Sequence, residues 1–556
     1  MRRFLGEAVL SVDNVMEFIG DISRFHRIQG SRELVEAARY VKEKLDLFGV
    51  RAEIIEKSYD GESQYLTLRS PIAWNLLHGE LEFGEKRLTS AETPLVAMAH
   101  SPGGSFEGEV FIPRTEEDWE RVEGKAVLVG RDWREAYRRA NEKGAAAFIA
   151  YREGTGTAVP YIGLFLTGKD LEWAKIPAFA VPETWAKEAF SKDITAKGRL
   201  EVEIKEREVL PIVYAEVGSA PFVLFTAHLC HPRPGANDNA SGSAMLIELA
   251  RILSTLHNDS FRFGFAFLWV PEYYGTQAFV EEIDISKYYA VINLDMVAGS
   301  QDRSGSTIMA IRTPLSRFSV VSGLLEYFLD RANVSGSSFS GSPMPRLRLK
   351  GSPYEMGSDH DVFNFFGVPS VMAITWPDRH YHSSADTVEK LSRESVGIIG
   401  RAVLATALAL ARAEDEELRR FARAYAMKYL GELGMEGETD VSERLVMKGL
   451  ARDARFLGID VGHAFEGSGW LRWVKRGRIS REAIAMADEE LARRFRKLTR
   501  DRKLLVHLHE LVMLSEILPE KEAFRALREE YREINEEKLK EGVDILKKAG
   551  IVEEIS

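Results

Sequence analysis

Apolar runs that end in metal-competent side chains recur four times along the chain. The first, Pro221 to Thr226, leads into His228. Ten residues on, Asp238 stands between two asparagines, ahead of an apolar helical segment from Ala244 to Leu253. The second, Leu268-Trp-Val-Pro-Glu272, ends in an acid, and so does the third, Ala290-Val-Ile-Asn-Leu-Asp295. The fourth, Val368 to Thr375, runs into Trp376-Pro-Asp-Arg-His380-Tyr381-His382 and, four residues later, Asp386. Short apolar runs bounded by turn residues predict buried strands, and open α/β sheets bind ligands outside the carboxyl ends of their strands. The pattern therefore predicts an α/β sheet with imidazoles and carboxylates along one edge. Five of the 12 histidines (His228, His231, His360, His380, His382) fall in these segments or in the loop Gly357-Ser-Asp359-His360-Asp361, which argues for a metal site.

Elsewhere the patterning divides the chain. Leu34, Ala38, Val41, Leu45 and Phe48 recur at helical spacing before Gly49. Between 56 and 205, short strands are predicted over Leu95 to Ala99, Gly124 to Gly130 and Gly144 to Tyr151, with a helix over Tyr137 to Lys143. From about Glu414 onward the chain reads as helical. Leu418, Phe421, Ala422, Tyr425 and Tyr429 make one stripe, and Arg502 to Leu518 makes another. His507 and His509, two apart on a helix, point in different directions and are not read as ligands. Trp470 and Trp473 are read as core.

Composition narrows the function classes. A length of 556 residues suits two to four domains, and 45% hydrophobic with 29% charged residues is ordinary for a globular protein. The net charge of −11 is spread without a basic block, which argues against nucleic acid and anionic membranes as partners. Cys230 is the single cysteine, so an internal disulfide framework is excluded. The first residues lack the apolar length of a signal peptide, and no segment is expected to span a membrane. Glutamine is rare while Glu, Lys and Arg abound, as in thermophiles. The expectation is a cytoplasmic protein of a heat-adapted prokaryote.

Neutral imidazole with carboxylate is ligand chemistry that suits zinc, and cobalt or manganese accept the same set. The series His228, Asp238, Glu272, Asn293-Leu-Asp295-Met, Ser358-Asp359-His360 and Tyr381-His382-Ser-Ser-Ala-Asp386-Thr resembles the co-catalytic zinc aminopeptidase family. That clan also holds glutaminyl cyclases, glutamate carboxypeptidase and transferrin receptors. The opening Phe25-His-Arg-Ile-Gln-Gly30-Ser31 is similar too, and the resemblance covers about residues 20–55 and 205–413.

The resemblance implies an α/β fold: a mixed-sheet zinc-exopeptidase (phosphorylase/hydrolase-like) catalytic domain over 1–55 and 206–413. A protease-associated β/α insert would occupy 56–205 and a helical C-terminal domain 414–556, with a homo-oligomer formed through that helical part or the insert. It implies two zinc ions per chain, with Asp238 bridging, His228 and Asp295 on one metal, and Glu272 and His382 on the other. Tyr381 would donate to the oxyanion. Asp359 and His360 would face the substrate, with Asp359 or Asp361 holding its amine. Asp386 is either a group behind His382 or a turn-stabilising residue. The sequence departs from the family twice. Cys230 replaces the Asp of His-x-Asp, where a buried inert thiol and a thiolate ligand both stand as readings. Pro271 replaces the first acid of a Glu-Glu pair, which leaves Glu272 as base, ligand or both. The implied activity is a metal-dependent exopeptidase, an aminopeptidase acting on peptides. The competing readings are a mono-zinc cyclase, amidohydrolase or carboxypeptidase on the same fold, and a catalytically dead binding scaffold.

Overall fold

The computed structural model describes residues 1–333, 336–342, 344, 346–458 and 467–555. The four apolar runs become the parallel centre of an eight-stranded mixed sheet: β1 (Phe222–His228), β2 (Gly264–Val270), β3 (Tyr288–Leu294) and β4 (Ser370–Trp376), side by side in the order β2-β1-β3-β4. Antiparallel strands flank them, Ala52–Tyr59 and Glu208–Val217 on one side and Thr307–Ile311 on the other, with Leu349–Ser352 at the far edge. Every residue of β1, β2 and β3 is buried, which is why these strands read as unbroken apolar runs rather than alternating ones. Because the four run parallel, His228, Glu272, Asp295 and His382 all emerge at one edge.

Helices Arg32–Leu47, Gly242–Leu256, Val320–Ala332 and Arg393–Arg412 share one core with the sheet. The last of these is long and apolar enough to cross a bilayer, contrary to the expectation that no segment would be. Here it packs on Val320–Ala332 and is buried along most of its length, so the same apolarity is used inside the protein.

Residues 73–205 form a separate seven-stranded sheet with its own core. Strands Gly104–Phe111, Ala126–Val129, Ala147–Ala150 and Ala178–Ala180 are parallel, and helix Trp133–Glu142 covers them. The strand expected over Leu95 to Ala99 is instead a 3₁₀ turn, Pro94–Val96, followed by single bridges at Ala97 and Ala99. Pro94 lacks an amide hydrogen for a ladder, and the Thr93 hydroxyl accepts the Leu95 amide.

The C-terminal helices pack on the main core through Leu418, Ala422, Tyr425 and Tyr429, with Phe421 partly buried beside them. Trp470 and Trp473 also pack against that core. Ion pairs Arg134–Glu482, Arg481–Glu135 and Arg496–Glu135 join this region to the insert helix. Inside it, Glu510 on Arg502–Ser515 and Glu530 on Glu520–Tyr531 are both buried, and burial pushes both carboxyls up, Glu530 to about 7. Glu530 accepts the Tyr429 hydroxyl, and Glu510 accepts the Ser316 amide. A carboxyl raised by folding holds its proton in the native state after the unfolded chain has released it. Its contribution is therefore complete below pH ~4.5 and lost as pH rises through the folded value, on the order of 3 kcal/mol for Glu530. Melting temperature should fall from pH ~5 to ~8, and Glu530→Gln should flatten that slope. A slope equal to that of the parent chain would show that the pair is not the cause.

Candidate metal centre

The turn after β1 is built to present Asp238. Gly235 has φ +50, and a Cβ on it would stand 2.5 Å from the Asp238 carbonyl oxygen; one on Gly242 would stand 2.2 Å from the Leu294 carbonyl oxygen. Only glycine fits either place. Asn237 Oδ1 accepts the Ala298 amide, Asn239 Oδ1 accepts the Met296 amide, and Ser241 Oγ accepts the Val297 amide. The turn is thereby sewn to the segment that carries Asp295. Asp386 accepts the amides of Asn237 (2.8 Å) and Asp238 (2.9 Å), so it holds the Asp238 turn. Burial pushes the Asp386 carboxyl up to about 8.

Three of the supporting loops turn on non-glycine residues with positive φ: Tyr273 (61°), Met296 (53°) and His382 (53°). Each such residue costs roughly 1–3 kcal/mol, and conformations of this kind collect where a site over-determines its backbone. Each one here lies next to or at a candidate ligand.

The side chains converge in two groups, the ligand atoms of each within 4.8 Å of one another: His228, Glu272 and Asp295, and His231, Asp238 and His382. Asp238 joins them. Its Oδ1 lies 3.2 Å from His228 Nε2 and 3.4 Å from His231 Nδ1, and its Oδ2 lies 3.1 Å from His382 Nε2. His228 Nδ1 is 3.0 Å from the Cys230 carbonyl oxygen, which fixes that ring and aims Nε2 at the carboxylates. Desolvation alone would raise Asp238, but His231, His228 and His382 hold its carboxyl well below the usual range. Burial pushes Glu272 up to about 8.

The donor set fits divalent metal. Three imidazoles and three carboxylates meet in one place, and Asp295 Oδ1 is buried without a hydrogen-bond partner. Buried carboxylates without compensating charge are costly, and dications supply that charge.

Several expectations change. The place beside His382 and Asp238 given to Glu272 is taken by His231, and Glu272 stands with His228 and Asp295. Asp359 and His360, expected to face the substrate, are fully buried behind the site. Asp359 accepts the Tyr273 amide (2.8 Å) and the Thr276 hydroxyl, and burial pushes it up to about 6. It therefore fixes the loop after Glu272. His360 Nε2 meets the Glu355 carbonyl oxygen at 2.8 Å. Asp361 is likewise enclosed, accepting the hydroxyls of Tyr273 and Tyr354, both at 2.6 Å. Cys230 is in neither group; its Sγ accepts the Glu272 amide at 3.1 Å and so positions that residue. His507 and His509 join no metal-competent group among the described residues.

The cleft over the groups is lined by Tyr381, whose ring stacks on His382 at 3.7 Å, and by Met296, Ile311, Met372, Ile374 and Trp376. Glu355 and Arg502 line it too, and neither was singled out from the sequence. Arg27 was also missed. This buried guanidinium donates to the carbonyls of Ile22, Phe25, Leu229 and Gly235, locking the loop that carries His231. Tyr161, from the insert, donates its amide to the His382 carbonyl (2.7 Å) and sets its ring edge-on to His231 and His382, both at 5.2 Å.

Comparison with known proteins follows the same lines. Residues 212–407 match the model of peptidase family M28. Aminopeptidase YwaD of Bacillus subtilis (strain 168) is 26% identical over 186 residues, 31% of this chain, and the match spans only 37% of that relative's length. The solved zinc aminopeptidase BSAP from Bacillus subtilis superposes with a TM-score of 0.53 at 17% identity, covering 73% of this chain and 96% of that one. A peptidase M28 precursor from Shewanella amazonensis SB2B gives 0.53 at 16%, covering 73% and 95%. At such identity these two structures establish the shared fold.

Proposed function

We propose, from the match of residues 212–407 to the model of peptidase family M28, that this chain is a zinc-dependent exopeptidase that releases N-terminal residues from peptides. The observation that carries the reading is the pair of side-chain groups joined by Asp238, facing a cleft with an apolar wall of Met296, Ile311, Met372, Ile374 and Trp376 and with Glu355 and Arg502 beside it. Divalent ions held by His228, Glu272 and Asp295 and by His231, Asp238 and His382 would supply Lewis acidity and lower the pKa of water.

The chain's own groups divide the remaining work. Glu272, ionised beside positive charge, accepts the proton of the attacking water and returns it to the leaving amine. Tyr381 donates its hydroxyl to the carbonyl oxygen as that atom gains charge, a contribution on the order of 3 kcal/mol. Met296, Ile311, Met372, Ile374 and Trp376 receive an apolar side chain, whose burial contributes about 1.5–3 kcal/mol. Glu355 is the one carboxylate lining the cleft outside the two groups, among the described residues, and it takes the free α-amine.

The test is a panel of leucine- and methionine-first peptides, each with a free and an acetylated amine, given to protein reconstituted with zinc. Cleavage of the free-amine series alone is expected. Cleavage of the acetylated series would favour a carboxypeptidase, and cleavage of neither would defeat the peptidase reading. Tyr381→Phe should lower kcat about 10²-fold with its metal content intact; an unchanged kcat would remove the hydroxyl from the mechanism.

A further inference from the structure

The helical C-terminal region reaches the cleft at Arg502, the first residue of helix Arg502–Ser515. Its Nη2 donates to the Met356 carbonyl at 2.9 Å. The same nitrogen lies 2.8 Å from where a Cβ on Gly357 would stand, and Gly357, with φ +137, leaves that space open. Gly357 itself lines the cleft, so a missing side chain lets the guanidinium lie against the cleft wall.

The Arg502 side chain is exposed at this wall. Among the described residues no carboxylate lies within 4.0 Å of the Arg502 guanidinium, and its hydrogen bond to the Met356 carbonyl occupies one of five N–H donors. Glu355, on the same cleft, receives the Ser352 hydroxyl at 2.8 Å instead. Arg502 and Glu355 also line the groove that continues between Leu349–Ser352 and the helices Arg502–Ser515 and Glu520–Tyr531. Arg502 therefore stands where a substrate chain would leave the cleft. A planar guanidinium with free paired donors matches a carboxylate bidentately.

We propose that Arg502 binds a carboxylate carried by the substrate just beyond the scissile bond and so sets specificity for peptides that bear one there. This deepens the peptidase reading and rests on it. The carboxylate has two possible sources, the free C-terminus of a dipeptide or an acidic side chain at the first position past the cut.

The experiment measures binding by calorimetry, and cleavage, of Leu-Ala, Leu-Ala-amide and Leu-Asp-amide with zinc-loaded protein. At least one carboxylate-bearing peptide should bind about tenfold or more tighter than Leu-Ala-amide, the gain appearing in KM rather than kcat. Leu-Ala alone would identify the terminal carboxylate, and Leu-Asp-amide alone the side chain. Arg502→Gln should abolish the difference with zinc content unchanged, and Arg502→Lys should restore part of it. Equal binding of all three by the parent chain overturns the proposal whether or not the variants fold. So does a preference that survives Arg502→Gln, or an equal loss on all three peptides, as a merely structural role would give. Absence of cleavage with the binding preference intact would defeat the peptidase reading and leave the carboxylate site standing.

Discussion

Glu272→Gln should reduce turnover by about 10²–10⁴-fold while the protein folds and melts as before. The substitution keeps the shape of the side chain and replaces an oxygen that can take a proton with an amide that cannot. It leaves the local scaffold untouched, because the Glu272 backbone is held independently, its amide by Cys230 Sγ and its carbonyl by Gln29 Nε2. The same experiment separates the two roles open to this residue. If Glu272 moves the proton, kcat falls and two zinc ions remain per chain. If it is chiefly a ligand beside His228 and Asp295, one ion is lost in parallel with activity. Pro271 stands where the family resemblance implies an additional acid, and Glu272 lies in one group with His228 and Asp295, within reach of both tasks. Full turnover with both ions bound would remove Glu272 from the reaction.

The strand ends were the legible part of this protein. A parallel central strand is buried on both faces, so its apolar run stops where the chain emerges at the sheet edge. A polar residue at that stop is visible without any knowledge of packing. His228, Glu272, Asp295 and His382 were found in this way, and Asp238 by its glycine- and asparagine-rich turn. Residues brought in by tertiary packing left no such mark. His231 was visible as a histidine, but its role depends on Arg27, some 200 residues earlier, pinning the loop around it. Tyr161 and Arg502 arrive from the insert and the helical region, and nothing local to either foretells the approach. Asp359 and His360 misled in the opposite direction. Polar residues in a Gly-Ser loop read as exposed, yet helix His360–Phe365 packs onto β3 and β4, and the Tyr273 amide and Thr276 hydroxyl satisfy Asp359 inside.

Asp238→Asn should uncouple the two metal positions and show it in stability as well as activity. The two carboxylate oxygens of Asp238 face different imidazoles, His228 and His231 on one side and His382 on the other, so one residue supplies charge to both groups. An asparagine in the same place keeps the contacts to the turn, because Asp386 binds the backbone of residues 237 and 238 rather than the side chain. What is lost is the negative charge that two dications, one in each group, would share. Bound metal stabilises the native state by about 2.7 kcal/mol per site at one hundred times its dissociation constant. Chelation should therefore lower the melting temperature of the parent chain measurably. In Asp238→Asn the chelator-induced shift should shrink to half or less, and zinc after desalting should fall from two ions per chain to one or none. Peptide cleavage should fall with it, since Glu272 and Tyr381 would still be present but the charge that orients substrate between them would not. Two ions retained and an unchanged chelator shift would mean that Asp238 does not join the groups, which would then hold metal independently through His228, Glu272 and Asp295 and through His231 and His382.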